Sequence, residues 1–550
     1  MGVADIDRNA PFPVAPVPRG RDRAPVAILG AGPVGLALAV DLAQRGVRSV
    51  VIDGRTAASS GSRAICWAQR TLEIFDRLGV GEAADWGVTW KVGRLYHRDA
   101  EVYSFDLQPE PGHRMPAFVN LQQFAVEHLL IERAAALGVE LRWGHRATGH
   151  RATGHRANGD DANGDGVTLD VEAPGGGYAL RCDWLVACDG ARSPVRERMG
   201  LTLEGQRFEE RFLIADVAMD DDPFEGRPPE RWFWFEPPFH AGQSALLHKQ
   251  PGGIYRIDLQ LGPDADVEVE KDPARVVPRI RRMVGDKPFE LDWLSVYRFT
   301  CARLERFVHG RIVFAGDSAH VVSPFGARGG NGGVQDADNL GWKLAAIVRG
   351  EADPSLLATY DEERGLAADE NIANSARATA FMTPRSGRQR SFRDAVLDLA
   401  HHHPFARALI NSGRLSRPCS LAGTTLHATD DGLGPLRAGE PCPDAPLVDG
   451  WLLSRVGAMV ADGSFATVTV GEGARRDAVP GTVHRHVALP DERSEDDDLI
   501  AADGAVERRW GRDRAFVIRP DAHVLATGRR DALQAALRRL GRVPLAFVAE

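Results

Sequence analysis

The chain has 550 residues, 43% of them apolar, and a formal net charge of −9. That length accommodates several domains with large cores, and the acidic balance with interspersed signs excludes a nucleic-acid binder and predicts a solvated surface. Six scattered cysteines with no CxxC pair and no His/Cys cluster at zinc spacing exclude a structural zinc site and a disulfide framework; no metal is expected, and reduced thiols point to a cytoplasmic protein.

The first residues, MGVADIDRNAPFPVAPVPRGRDR, are polar and proline-rich and predict a flexible arm over 1–24 with no export signal. PVAILG then reads as a buried strand, PVGLALAVDLAQRG as a helix packed on a sheet, and VRSVVID as a second buried strand ending at Asp53. The apolar run from Val26 to Val40 is too short and too glycine-interrupted to span a bilayer, so no membrane association is expected. Two amphipathic helices follow, Arg70 to Val80 closed by Gly79 and Asn120 to Gly138, with Asn120 as N-cap. Residues 145–159 hold an imperfect repeat, HRATG, HRATG, HRANG, which reads as an insertion in a surface hairpin loop and not as a metal site. Residues 167–188 alternate as strands and end in the buried run WLVAC. From about 203 to 300 aromatic and β-branched residues alternate, predicting an antiparallel sheet. The strand RIVFAG returns to the first style, and helices dominate from about 334 to 412. A polar stretch over 420–440 separates a last unit of short strands and a basic helix.

Three motifs carry the chemistry. In GAGPVG, Gly30 permits the tight turn, Gly32 lets the backbone approach a pyrophosphate, and Gly35 lets helix and strand pack closely; Pro33 and Val34 open a helix whose free N–H groups face the phosphates. Asp53 stands where it can bond the adenosine ribose hydroxyls. DWLVACDGARSPVR delivers Asp189 and Gly190 from a buried strand to a sharp turn, and RIVFAGDSAH delivers Gly316 and Asp317 in the same way. A glycine-rich loop, Gly326 to Gly333, then leads into a helix whose N-terminus can face a developing negative charge. A single aspartate of this kind is ordinarily a turn or capping residue. All three motifs in this order point to one FAD assembled from separated pieces of chain.

At these residues the chain resembles the single-component FAD-dependent aromatic hydroxylases of the p-hydroxybenzoate hydroxylase type, over roughly residues 25 to 365. The DG motif, DGxxSxxR, is present as Asp189, Gly190, Ser193 and Arg196, and the GD motif as Gly316, Asp317, Ser318, Ala319 and His320. The resemblance implies that Asp317 binds the ribityl chain and that Pro324 lines the space beside the reactive flavin carbon. It also implies that the backbone of Gly330 and Asn331 binds the ring's pyrimidine edge. Arg63 corresponds to an arginine near the flavin phosphates, or is a surface arginine at a helix start. Gln123 matches a flavin-contacting glutamine, with Gln122 as a second candidate and a capping box from Asn120 as the rival reading.

The implied fold is α/β: a Rossmann-like, glutathione reductase-type FAD domain with an inserted antiparallel substrate domain and a C-terminal thioredoxin-like domain. FAD-binding pieces are expected over 25–98, 119–202 and 301–420, substrate-domain pieces over 99–118 and 203–300, and the thioredoxin-like unit, without a CxxC, over 421–550. The implied activity is hydroxylation of an aromatic, chiefly phenolic, substrate with NADPH or NADH and O2 through a C4a-hydroperoxyflavin, with a homodimer as an open arrangement. Substrate-pocket candidates are Trp234, His240, Tyr255 and Pro324, with Arg231 or Arg256 available to a carboxylate; no general base is assigned. Two rivals stand. A flavin-dependent halogenase is faintly echoed in WFWFEP, where Glu236 replaces the isoleucine of WxWxIP. A non-catalytic FAD-binding protein is opposed by the intact GGN loop beside Pro324.

Overall fold

The structure, a computed structural model, describes all residues except 1, 8–9, 21, 60–63, 109, 154–165, 411–416, 428–429 and 541–550. Its core sheet is built where the sequence places continuous apolar runs. The parallel strands Ile312–Phe314, Gly176–Ala187, Asp22–Leu29, Ser49–Asp53 and Glu140–Trp143 lie side by side in that order. Both faces of such a sheet are covered, so its strands need no polar alternation. The Pro33–Gln44 helix covers one face and is itself buried on nearly every side, from Gly35 through Leu42.

A second, eight-stranded sheet draws on Val92–His97, Ala100–Asp106, Glu204–Ala218, Arg231–Phe235, Ser244–Lys249, Ile254–Gln260, Glu290–Arg303 and His320–Val321. All neighbours are antiparallel except Arg231–Phe235 with Val92–His97. Val92–His97 already belongs to this sheet, so the chain leaves the core sheet before residue 92 and not at 98. A five-stranded sheet near the C-terminus orders Leu499–Ile500, Val483–Ala488, Ala466–Val470, Arg514–Ile518 and Val524–Thr527.

Several local expectations change. The N-terminal segment is docked: Phe12 stacks on Trp143 at 4.2 Å, and Ala15 N donates to the Trp143 carbonyl. Burial of its aromatic ring offsets the ordering cost that proline-rich composition suggested. Asn120 ends the strand Phe118–Asn120, and the next helix runs Gln123–Ala136 with Gln122 at the N-cap and no side-chain cap bond, so no capping box forms. Residues Arg146–Thr153 of the first two repeat units form a strand paired with Gly166–Ala173 and not a loop, while the repeat from residue 154 on lies outside the described residues. His145 is fully buried between Tyr178 Oη and the Ala15 carbonyl, each at 2.8 Å. His427, from the stretch expected to be a polar separator, is also buried. Helices Gly329–Val348, Leu357–Met382 and Gly387–Ala400 fill the expected helical region. Among the described residues no helix is long and apolar enough to cross a membrane. None of the six cysteines forms a disulfide.

Candidate functional site

The three motifs converge at the start of the Pro33–Gln44 helix. Gly30 has φ +100°, and a Cβ there would sit 2.4 Å from the Cys188 carbonyl oxygen. A Cβ on Gly35 would fall 2.0 Å from the Gly30 carbonyl oxygen, one on Gly316 3.0 Å from Val34, and one on Gly333 2.6 Å from Val34. Glycine is therefore required at each of these contacts for steric reasons. Gly32 and Gly190 differ: a Cβ at either meets nothing within 4 Å, so their bare backbones border open space.

Hydrogen bonds lock the assembly. Asp53 Oδ2 accepts from Ala31 N at 2.7 Å, holding the glycine turn, and its carboxylate also accepts from Arg55. Arg55 extends to Ser59 and Glu127; sequence reasoning missed it, and its only signal was a cation two residues beyond a strand-end aspartate. In the DG segment Ser193 Oγ caps the Pro194–Arg198 helix, and Arg196 donates to the Ser318 carbonyl at 3.0 Å and to the Ala191 carbonyl, tying the DG turn to the GD turn. Ser318 Oγ returns a bond to the Ala187 carbonyl. Asp189 Oδ2 accepts from Val195 N, while Oδ1 is buried without a partner among the described residues; burial raises the carboxyl above its ordinary value.

Asp317 lies exposed on the turn after Ile312–Phe314. Beneath it, Asp336 accepts from Gly316 N, His320 Nε2 and Arg364 Nε at 2.9, 2.6 and 2.6 Å. Burial alone would raise the Asp336 carboxyl, but the His320 and Arg364 charges hold it below its usual value. Gly330 and Asn331 stand in the first turn of the 20-residue Gly329–Val348 helix. The Asn331 side chain accepts from Ala68 N and donates to the Cys66 carbonyl, each at 2.9 Å, and also donates to the Ala327 carbonyl, which pins the loop to the Cys66–Ala68 strand. Pro324 is exposed just before it, and Ala327 takes φ +52° where the loop turns. Gln123 accepts from Ala64 N and donates to Glu127, beside the segment of Arg63, which itself lies outside the described residues. Gln122 donates to the Pro251 carbonyl.

These residues fit FAD. Bare glycine backbone and a helix N-terminus suit the pyrophosphate, strand-end carboxylates suit polyol hydroxyls, and the orphaned Asp189 oxygen lacks a donor that a ligand can provide.

The substrate candidates divide by sheet face. Trp234, Tyr255 and Trp232 form a core under the Pro273–Val284 helix, and His240, on that side, bonds the Gln260 carbonyl. Phe233 and Phe235 point the other way, toward Phe325 of the glycine-rich loop. There they join Leu95, Phe105, Phe381 and Met382 around an open apolar cleft. The candidate pocket thus lies on the face opposite Trp234, His240 and Tyr255. Strand alternation separates the two faces but does not say which one meets the core domain. A three-residue cluster of metal-ligand type, His97, Glu236 and Asp394, is already served by the Arg393 guanidinium, which donates to both carboxylates.

Residues 23–375 match the family described as FAD binding domain. A 12-dehydrotetracycline 5-monooxygenase/anhydrotetracycline 6-monooxygenase from Streptomyces rimosus subsp. rimosus is 30% identical over 93% of this chain and 98% of its own. A para-nitrophenol 4-monooxygenase from a Pseudomonas species is 30% identical over 62% of this chain and 82% of its own. Among solved structures, the flavin-dependent monooxygenase PieE in complex with FAD and substrate superimposes with a TM-score of 0.75 at 23% identity, over 95% of this chain and 99% of that one.

Proposed function

The chain belongs to the FAD binding domain family of flavin monooxygenases, and from that premise we propose how its own residues run the reaction. It is an FAD-dependent aromatic monooxygenase that uses NAD(P)H and O2. The observation that carries the assignment of its site is the meeting of distant segments at the Gly30–Gly35 turn, Cys188 against Gly30 and Gly35 and Gly316 and Gly333 against Val34, with open backbone at Gly32 and Gly190. Bound FAD supplies hydride acceptance and oxygen activation.

Gly30, Gly32, Gly35, Pro33 and Val34 hold the pyrophosphate, Asp53 with Arg55 the adenosine ribose, and Arg63 and Gln123 the phosphate side. Asp317 and Asp189 would take the ribityl hydroxyls, and the backbone N–H groups of Gly330 and Asn331, with their helix dipole, would favour negative charge on the ring. Pro324 walls the reacting edge. The apolar lining from Phe233, Phe235 and Phe325 excludes water and orients an aromatic substrate.

We read the second sheet as the substrate domain and the last unit as thioredoxin-like. Support for the latter is a parallel pair, Ala466–Val470 with Val483–Ala488, followed by antiparallel Arg514–Ile518 and Val524–Thr527 and the Arg530–Leu540 helix. Without a CxxC this unit serves packing: Arg519 and Asp521 lock onto Glu363, Asn339 and Trp342 of the core helices. The halogenase reading has no support among the relatives.

The test is phenol-stimulated NAD(P)H oxidation with the product identified by mass. One added oxygen supports the reading; peroxide alone across phenols and fused-ring aromatics, or dependence on reduced flavin and halide, overturns it.

A further inference from the structure

Pairing across the second sheet puts His248, Arg256, Asp258 and Asp216 on the same face as Arg231 and Phe233, the face that meets the core domain. Arg256 and Asp216 close on each other through two bonds of 2.8 Å, and Gln250 adds a third to Asp216. The other polar groups stay open. Arg231, His248 and Asp258 are 5%, 1% and 8% exposed, yet Arg231 Nε, His248 Nε2 and Asp258 Oδ1 have no hydrogen-bond partner among the described residues. Arg231 Nη1 and His248 Nδ1 each come only within 3.8 Å of Cys66 Sγ, and His248 Nδ1 lies 3.4 Å from Asn120 Nδ2. The Cys66 carbonyl accepts from Asn331, so the cluster abuts the loop assigned to the flavin ring. Each unsatisfied buried polar atom costs about 1–3 kcal/mol, and native interiors leave few of them. A cation, a neutral imidazole and a carboxylate, all unsatisfied on one face, are complementary to a ligand that both donates and accepts.

We propose that this face is the subsite for the substrate's ionisable ring hydroxyl, with Asp258 taking its proton and Arg231 holding the oxyanion. The inference rests on the hydroxylase reading above. In the step the substrate O–H bond breaks, the proton passes to Asp258 Oδ1, and the electron pair stays on oxygen, enriching the ring that is to be oxygenated; no redox partner is consumed. The charged and titratable groups facing the site are Arg231, Arg256, Asp216, His248 and Cys66. Burial pushes Asp258 up to about 6, against the pull of Arg256 and Arg231 and with Asp216 adding to the rise, so it is an ionised acceptor at neutral pH and loses that role in mild acid. Burial, then Arg231 and Arg256, keep His248 neutral, and its Nε2 offers a second hydrogen bond to the oxygen.

The experiment titrates 4-nitrophenol bound to the FAD-loaded protein and reads phenolate absorbance against pH. The expected result is ionisation at a pH about one unit or more below that of the free probe, a tenfold change. Asp258→Asn and Arg231→Gln should each abolish that shift while FAD content and circular dichroism stay at wild-type values. In parallel, Asp258→Asn should slow hydroxylation about 10²–10⁴-fold and remove the acidic limb near pH 6, with partial rescue by Asp258→Glu. A probe that titrates with wild-type protein as it does in water, or an undiminished shift in both variants, overturns the proposal. Oxygen incorporation into an aromatic product is measured separately, so the hydroxylase reading can stand when this one fails.

Discussion

Glu363→Gln probes the joint between the C-terminal unit and the helices that carry the flavin loop. Glu363 is fully buried and accepts from Arg519 at 2.6 and 3.0 Å, from Lys343 at 2.8 Å and from Asn339 at 2.7 Å. Asp521 supplies the second carboxylate to Arg519, while burial and the Arg519 charge hold His427 down to about 3, so it is neutral. Two cations thus face two carboxylates out of water. Removing one carboxylate charge leaves an uncompensated buried cation, which costs about 3–5 kcal/mol. The cost should depend on pH. Burial lowers Lys343 to about 8 even with Glu363 beside it. Without Glu363 it falls further, so the lysine can shed its proton and rebalance the site. A folded pKa below the unfolded one means that the unfolded state binds more protons in that window, so stability rises with pH there. The variant should therefore lose most stability at about pH 6 and recover part of it by about pH 9. Equilibrium urea unfolding at both pH values, with FAD fluorescence as a second probe, measures this. A loss under about 1 kcal/mol at the lower pH, or one equal at both, would refute the reasoning.

Gly35→Ala forces a methyl group against the Gly30 carbonyl, at 2.0 Å, and should abolish FAD retention at about 1–3 kcal/mol or more of overpacking; purified protein with full flavin absorbance would contradict this. Asp189→Ala removes the carboxylate that carries the unpartnered Oδ1 and should weaken FAD binding roughly tenfold and slow flavin reduction by NAD(P)H, as stopped-flow absorbance would show. Arg196→Lys gives up the fork between the Ala191 and Ser318 carbonyls and should raise the FAD dissociation constant while leaving the fold cooperative, read by fluorescence titration. Chelators should leave activity unchanged, because Arg393 already compensates Glu236 and Asp394. Asp336, held low by His320 and Arg364 despite burial, stabilises the fold above the ordinary carboxylate range. That contribution should fade as pH falls through the depressed value, followed by acid unfolding monitored by tryptophan emission.

The motifs were legible because their requirements are local. GAGPVG, Asp189-Gly190 and Gly316-Asp317 each follow a buried strand, and the demand for glycine at a turn or close approach is written within a few residues of itself. Their convergence on the Gly30–Gly35 turn followed from the order of strands that a parallel sheet imposes. Period-2 alternation likewise separated Trp232 and Trp234 from Phe233 and Phe235 in the sequence. Which pair faces the cleft depends on the side of the sheet that the core domain covers, and alternation is blind to that choice. The same holds for Arg231, His248 and Asp258: each looks like an ordinary strand residue, and only the pairing of three strands leaves their polar atoms together and unsatisfied. The interspersed charges that read as solvated surface hide the Arg519–Glu363 pair, 156 residues apart in the chain. Local sterics fixed the cofactor's cradle in the sequence itself. Long-range packing decided which sheet face borders the apolar cleft and where the buried ion network forms, because burial and partnership are properties of the assembled chain and not of any residue in it.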